Sequence, residues 1–389
     1  MNKRLKPQKI QRQNPFPYIP RLLLYIMSLL VLPLGAEAGL TTESSGVDAL
    51  MGRQGLANHQ QRIEKLIFEK GQTYTWEEFS SWGREIFING FVKKPPIGTG
   101  PSERVSQYFQ CVTCHNFKRE DPKLTVQDPE ARFRWIEQTG EEIYLIQGAT
   151  MWGVVNRETF YSDYYEIYHN LCVPKENVDR SSSCGPFLNI CAPGCRTMDP
   201  SSLEDAIQVC SKYCGVGRYM ADWELAALLA FFWDQEVRLM DLDLPPDQAA
   251  RVKNVLNCTS TEPQEKEKLR RLISSRYARK ANNTFRGIPT VEKDASQGDL
   301  VAQYPDGSRF GGDPARGERL YGLSCARCHG LYNMPQTASY LGGNLEEFYK
   351  MLAKGSRHSD RPYMPNFTLE RLSRQQAADI LMYLQQIMK

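Results

Sequence analysis

The apolar positions of this chain fall into helical periods separated by turn-forming stretches. At the C-terminus Ala377, Ile380, Leu381, Leu384 and Ile387 recur at the three-to-four-residue spacing of one helix face, behind a Ser373/Gln376 pair spaced as an N-terminal cap. Asn344 with Glu347 has the same capping spacing and Gly355 supplies a stop, so a second helix is expected between them. Asp313-Pro314 places a capping oxygen ahead of a proline at the first helical position, and a helix is expected from there to about Cys325, with Gly317 and Tyr321 on one face. In the N-terminal half Thr75 and Glu78 open a helix that carries Gly83 and Phe87 at the same four-residue interval. Another helix is expected near Ser202, and Asp222 is expected to cap a run in which Leu225, Leu228, Leu229 and Phe232 share a face. The fold class these periods predict is mainly α.

The first residues have a different pattern. Lys3, Arg4, Lys6, Lys9, Arg12 and Arg21 precede a mostly apolar stretch from Leu22 to Leu34, and Ala36-Glu37-Ala38 fits a small-residue cleavage site. Residues 1–38 are therefore expected to be a signal peptide removed after Ala38, with release into the periplasm. Retention as an anchor is the alternative, but an apolar run of about a dozen residues is short for a span that needs roughly twenty. Membrane contact is expected only through this segment if it stays uncleaved. Removal changes the charge: the precursor holds 48 Lys/Arg and 45 Asp/Glu for a net +3, and the remainder holds 42 and 44 for a net −2. No basic stripe or phosphate-cradling glycine loop marks a nucleic-acid binder.

About 350 remaining residues suit two or three domains. Pro245-Pro246, the charged segment from Glu262 to Lys280 and the Gly/Asp/Pro cluster from Asp306 to Pro314 mark a seam. The expected division is an N-terminal extension at 39–72, a first unit at 73–240, a connector at 241–312 with one or two helices of its own, and a second unit at 313–389. No internal repeat longer than five residues and no low-complexity sequence is evident.

That five-residue repeat is the chemical signal. Cys-x-x-Cys-His occurs at Cys111 to His115 and again at Cys325 to His329. Two thiols three residues apart on one helical turn can both form thioethers with haem vinyl groups, and the adjacent histidine then falls under the iron. Zinc needs four ligands, and neither pentapeptide has a second Cys/His pair beside it. The expected cofactors are two covalently attached c-type haems, held by Cys111, Cys114, Cys325 and Cys328. Seven of the eleven cysteines lie outside the motifs, a density that fits an oxidising compartment. They are Cys172, Cys184, Cys191, Cys195, Cys210, Cys214 and Cys258, and an odd number leaves one thiol over. Cys191/Cys195 and Cys210/Cys214 are spaced to staple an inserted loop to the helix near Ser202.

Residues 313–389 resemble a class I cytochrome c domain in the Gly317-x-x-x-Tyr321 helix, the CARCH turn, Met364-Pro365 and a last helix whose Tyr383 packs near Gly317. The resemblance implies His329 as the proximal iron ligand and Met364 as the distal one. Met334, five residues past His329, is too close in sequence to reach the other haem face. Residues 73–240 resemble a divergent cytochrome c domain: Gly83-x-x-x-Phe87 repeats the glycine–aromatic pattern, but more than twenty residues part Phe87 from Cys111, so a loop is inserted. His115 is the implied proximal ligand. Met220 stands ahead of its closing helix as Met364 does ahead of its own, and is the candidate distal ligand; Met151, Met198 and His169 are less favoured. Cys214 and Cys210 are its rivals, because dihaem cytochromes that oxidise sulfur compounds use thiolate ligation and the segment from Cys214 to Glu224 resembles theirs. The whole chain thus reads as two cytochrome c-like helical haem domains joined by a partly helical connector. Arg157 has two open readings, a partner for a haem propionate or a solvated charge.

Two functions from different classes follow. Iron with two protein axial ligands exchanges electrons without an open position, which makes the chain a periplasmic relay between redox protein partners. The alternative is a haem oxidoreductase acting on a small sulfur compound at the first haem, with the second as electron exit. The insertions at 92–110 and 171–198 would shape its pocket. The 214-residue separation of the motifs is long for dihaem peroxidases. A third reading is a docked subunit of a respiratory complex.

Overall fold

The computed structural model describes residues 45–69, 74–96, 99–140, 145, 148–160, 202–257, 261–277, 284–293, 300–329, 345–355, 364 and 366–387. The segment expected to be a signal peptide, Tyr161 to Met198 with His169 and four of the cysteines, Cys258, Met334 and Asn344 lie outside them. The described residues are mainly helical: α1 (Gly55–Glu69), α2 (Trp76–Asn89), α3 (Pro129–Thr139), α4 (Leu203–Val209), α5 (Asp222–Trp233), α6 (Pro246–Asn257), α7 (Pro263–Ser274), α8 (Pro314–Ser324), α9 (Leu345–Lys354) and α10 (Arg374–Ile387).

The predicted helix starts are built by the expected side chains. Thr75 and Glu78 exchange side-chain and backbone hydrogen bonds, Asp313 accepts from the Ala315 and Arg316 N–H groups, and Ser373 and Gln376 form a reciprocal pair. These bonds satisfy donors that the first helical turn leaves free. Ser202 caps α4, and Gly355 ends α9 with φ +66°. Asp222 departs from expectation. Ala221 occupies the cap position of α5, its N–H bonds to the Glu224 carboxylate, and Asp222 is an exposed first-turn acid. A buried Glu224 held bidentately by Arg218 serves better here than a solvated aspartate.

Two helix pairs cross so closely that glycine is required at each contact. A methyl group on Gly83 would fall inside the Ala227 carbonyl of α5 and against the Phe231 Cβ; on Gly317 it would fall inside the Asp379 carbonyl of α10 and against the Tyr383 Cβ. The aromatic four residues after each glycine then meets the aromatic of the crossing helix, Phe87 with Phe231 and Tyr321 with Tyr383, both with ring centroids 5.7 Å apart.

The cores do not follow the expected seam. One holds Ile63, Phe79, Phe87, Leu225, Leu228 and Phe232 from α1, α2 and α5. A second holds Leu320, Tyr349, Leu352, Ile380 and Leu384 from α8, α9 and α10, and it also takes in Phe133 and Ile136 of α3 and Leu145. Gln376 donates to the Pro129 carbonyl at 2.9 Å and Leu145 N to Leu323 O at 3.1 Å. The connector contains α6 and α7 and also an antiparallel sheet in the order β1 (Thr290–Lys293), β2 (Leu300–Gln303), β3 (Arg309–Gly311), with Lys293 opposite Leu300 and Val301 opposite Gly311. Its Leu300, Ala302 and Tyr304 join the second core, whereas Val252, Leu269 and Ile273 pack with Val47, Leu50 and Val237 in a third.

A methyl group at Gly83 or Gly317 cannot be accommodated without parting two backbones, so Gly83→Ala and Gly317→Ala are each expected to cost about 3 kcal/mol in urea unfolding. Gly322→Ala is the control: it lies on an exposed face of α8 with open space around it, and should gain about 0.5–1 kcal/mol. A second expectation concerns Glu236, whose carboxyl is pushed up to about 7 by burial and by Asp48 and Asp234 nearby. The folded state then holds a proton that the unfolded chain releases near 4.5, so stability falls as pH rises from about 4.5 to 7. Glu236→Gln should remove that slope from a pH series of unfolding midpoints; an unchanged slope would assign it to another group.

Candidate functional site

The first motif begins as one helical turn, Cys111–Cys114, after which the chain opens into extended backbone at His115 (φ −129°, ψ 137°). Extension swings the ring away from the turn. The loop Gly148–Thr150 lies across the motif: Gly148 N donates to Cys114 O at 2.9 Å, and a Cβ at Gly148 would collide with that carbonyl and with the His115 ring. His115 Nδ1 lies 2.8 Å from the Ala149 carbonyl. A carbonyl only accepts, so Nδ1 carries the proton and Nε2 keeps its lone pair for a metal. Burial pushes the ring down to about 4, with Arg371 and Arg157 opposing its protonation and Glu120 favouring it. The imidazole is thus neutral at neutral pH. Burial also pushes the Cys111 thiol up to about 12.

Around this turn stands a cluster that the sequence reading did not single out. Asn116 donates to Glu120 at 2.6 Å, and the Thr150 N–H adds a bond at 3.3 Å. Both terminal nitrogens of Arg371 donate to the same carboxylate. Arg132, fully buried, bonds Asp121 at 3.0 Å through Nε and the Glu370 carbonyl at 2.8 Å through Nη2. Burial pushes Glu120 up, yet Arg371 and Arg132 together bring it down to about 2. Arg157, read either as an anion partner or as a solvated charge, donates to the Thr150 carbonyl at 2.8 Å and is half-buried. The only sequence signal for this cluster is the helix-like spacing of Asn116 and Glu120, which is common on any surface.

The distal candidates of the first motif come together. Met220 is buried in the core against which Cys111 packs, its N–H and carbonyl both bonded to the Gln208 side chain at 2.8 and 3.0 Å. Cys210 and Cys214 are half-buried at the two ends of a π-helical turn that follows α4. The Cys210 thiol is raised well above its ordinary value by a hydrogen bond with Cys214 and by burial, and the nearby Cys111 and Cys114 add to the shift. Met151 packs against the same core, whereas Met198 and His169 lie outside the described residues.

The second motif follows α8 directly. Cys325 N and His329 N donate to Tyr321 O and Cys325 O at 2.8 and 2.9 Å, and Ala326–His329 form one helical turn. Burial pushes Cys325 up to about 12 and His329 down. Cys325, Ala326 and Met364 all pack, partly buried, against the second core.

In both halves a glycine crossing, an aromatic pair and paired thiols followed by histidine converge, and in the first the histidine lone pair is left for a metal. These residue types fit a covalently attached haem with nitrogen-ligated iron. Residues 312–384 match a cytochrome c family model, which supports a c-type cytochrome domain there and implies covalently bound haem and electron transfer through its iron. The family model they match is described as cytochrome C oxidase, cbb3-type, subunit III. No curated protein and no solved structure matches the chain.

Truncating Arg132 leaves the Asp121 carboxylate and two carbonyls without a buried partner. Arg132→Ala is expected to cost about 3–5 kcal/mol in denaturant unfolding. A loss below about 1 kcal/mol would show that the cluster is solvated in solution.

Proposed function

We propose that the protein is an exported dihaem c-type cytochrome that passes electrons between redox protein partners in the periplasm. What carries this reading is the repetition of the glycine crossing: the half outside the matched region has the same contact of glycine with carbonyl and aromatic as the half inside it, and each has its own CxxCH. Bound haem supplies a one-electron iron couple, closed to exogenous ligands when both axial positions are taken by protein. Cys111, Cys114, Cys325 and Cys328 would form the thioethers, and His115 and His329 would be the proximal ligands. Ala149 orients His115 through Nδ1, and the Glu120–Arg371 cluster fixes the segment that follows it. Met364 would be distal in the second half and Met220 in the first. The subunit name of the matched family supports association with a respiratory complex.

A second reading is favoured by the turn at Cys210–Cys214. It places the Cys210 thiol close enough to Cys111 and Cys114 for them to act on it, and this proximity supports ligation of the first centre by Cys210, whose thiol the surroundings keep protonated until a metal takes the proton's place, and with it a sulfur-compound oxidoreductase activity.

Protein from a haem-attaching host should give two haems per chain in a pyridine haemochrome assay, and one in the Cys111→Ser/Cys114→Ser variant; a single haem in the unaltered protein overturns the dihaem reading. Met364→Ala should abolish the weak sulfur-to-iron band at the red end of the ferric spectrum. Loss of a low-spin ferric EPR signal in Cys210→Ser or Cys214→Ser, but not in Met220→Ala, would transfer the first distal position to thiolate.

A further inference from the structure

The segments that follow the two ligand candidates meet in one buried charge cluster. Glu120 lies five residues past His115 and Arg371 seven past Met364, and they pair across the boundary between the halves at 1% and 3% exposure. Neither is a solvent-facing ion pair. The carboxylate is bound further by Asn116, which is adjacent to His115, and the turn carrying Arg371 is held by Arg132 through the carbonyls of Glu370 and Arg371 at 2.8 and 3.4 Å. A guanidinium from the second half thus completes a network that begins beside the first motif's histidine.

We infer that Glu120 and Arg371 are a positioning pair through which the C-terminal cytochrome domain sets the reduction potential of the centre at His115. The inference rests on the dihaem reading. A negative charge favours ferric iron and a positive one ferrous, and both act strongly where water is excluded. The other charged groups facing the pair are Asp121, Arg132 and Arg157, and they remain in every variant below.

The test is a spectroelectrochemical titration of the holoprotein and of its Glu120→Gln, Arg371→Gln and double Glu120→Gln/Arg371→Gln variants. The Met364 sulfur-to-iron band marks which transition belongs to the second centre. Glu120→Gln should raise the first centre's potential and Arg371→Gln should lower it, each by on the order of tenfold in ferrous-to-ferric ratio at fixed applied potential. The double variant, which removes one buried charge of each sign, should fold and return close to the unaltered protein. Arg371→Lys keeps the charge and should also stay close. Shifts of one sign in both single variants, as general loosening would produce, or a double variant that does not return, overturn the inference. The haem count of the unaltered protein separates the two failures: one haem sinks the dihaem reading, whereas two haems with same-sign or absent shifts sink only this proposal.

Discussion

Everything in this structure that resembles a cytochrome starts from two backbones touching. Where α2 meets α5, and again where α8 meets α10, a carbonyl oxygen of the later helix occupies the space a side chain would need. Dispersion falls off within an ångström or so, and such proximity lets the aromatic one turn on reach its counterpart across the crossing. The paired helices become one rigid wedge, and each CxxCH turn is projected from it. In the second half the turn follows α8 without interruption. In the first, more than twenty residues intervene, yet they are tied back: Val105 N bonds the Gly90 carbonyl at the end of α2, and Arg218 reaches the Glu103 and Arg104 carbonyls while holding Glu224 inside α5. The loop thus restores the motif to a position that the second half reaches directly.

Charge joins what the crossings build separately. Buried ion pairs are weak contributors to net stability because desolvation cancels much of their attraction, but they are intolerant of wrong partners. Glu120, Asp121, Arg132 and Arg371 have their hydrogen-bonding groups matched only when α3 docks on the start of α10, and Arg316 extends the arrangement by bridging Glu130 of α3 and Asp379 of α10. An apolar contact of the same size would allow the two halves to slide. The salt-bridged one specifies a register, so the motif in one half has a fixed relation to helices of the other.

What could be read in the sequence was local. The Thr75, Asp313, Ser202 and Ser373 starts, the Gly355 stop and the two glycine–aromatic intervals all involve groups within four residues of each other, where chain geometry alone brings donor to acceptor. The strands of the connector were not legible. They are three or four residues long, and only Leu300 and Ala302 show the burial alternation of a sheet. Nor was the docking of α3, whose Arg132 has the pattern of a solvated charge until residues more than two hundred positions away surround it. Asp222 failed as a cap for a related reason: the cap position falls one residue earlier, at Ala221, whose N–H is bound by Glu224, an acid buried and held by Arg218. The candidate site divides in the same way. Its thiols and histidines declare themselves by spacing, whereas the groups that tune them come from distant segments.

The two motifs therefore share a grammar but not a setting. At the second motif, among the described residues, Cys325 and Ala326 pack against the apolar side chains of the second core, and burial lowers His329 from its ordinary value. At His115 burial is joined by three resolved charges of both signs, one of which belongs to the domain that carries the other motif. An electron carrier with two identical environments would have no preferred direction of transfer. On the proposed reading the asymmetry does not need different axial ligands, because a centre in an apolar pocket and one beside buried guanidinium and carboxylate groups already differ in how much they favour the ferric charge. Direction in such a protein would then originate at the interface between its halves, where Arg371 crosses from one motif's surroundings into the other's.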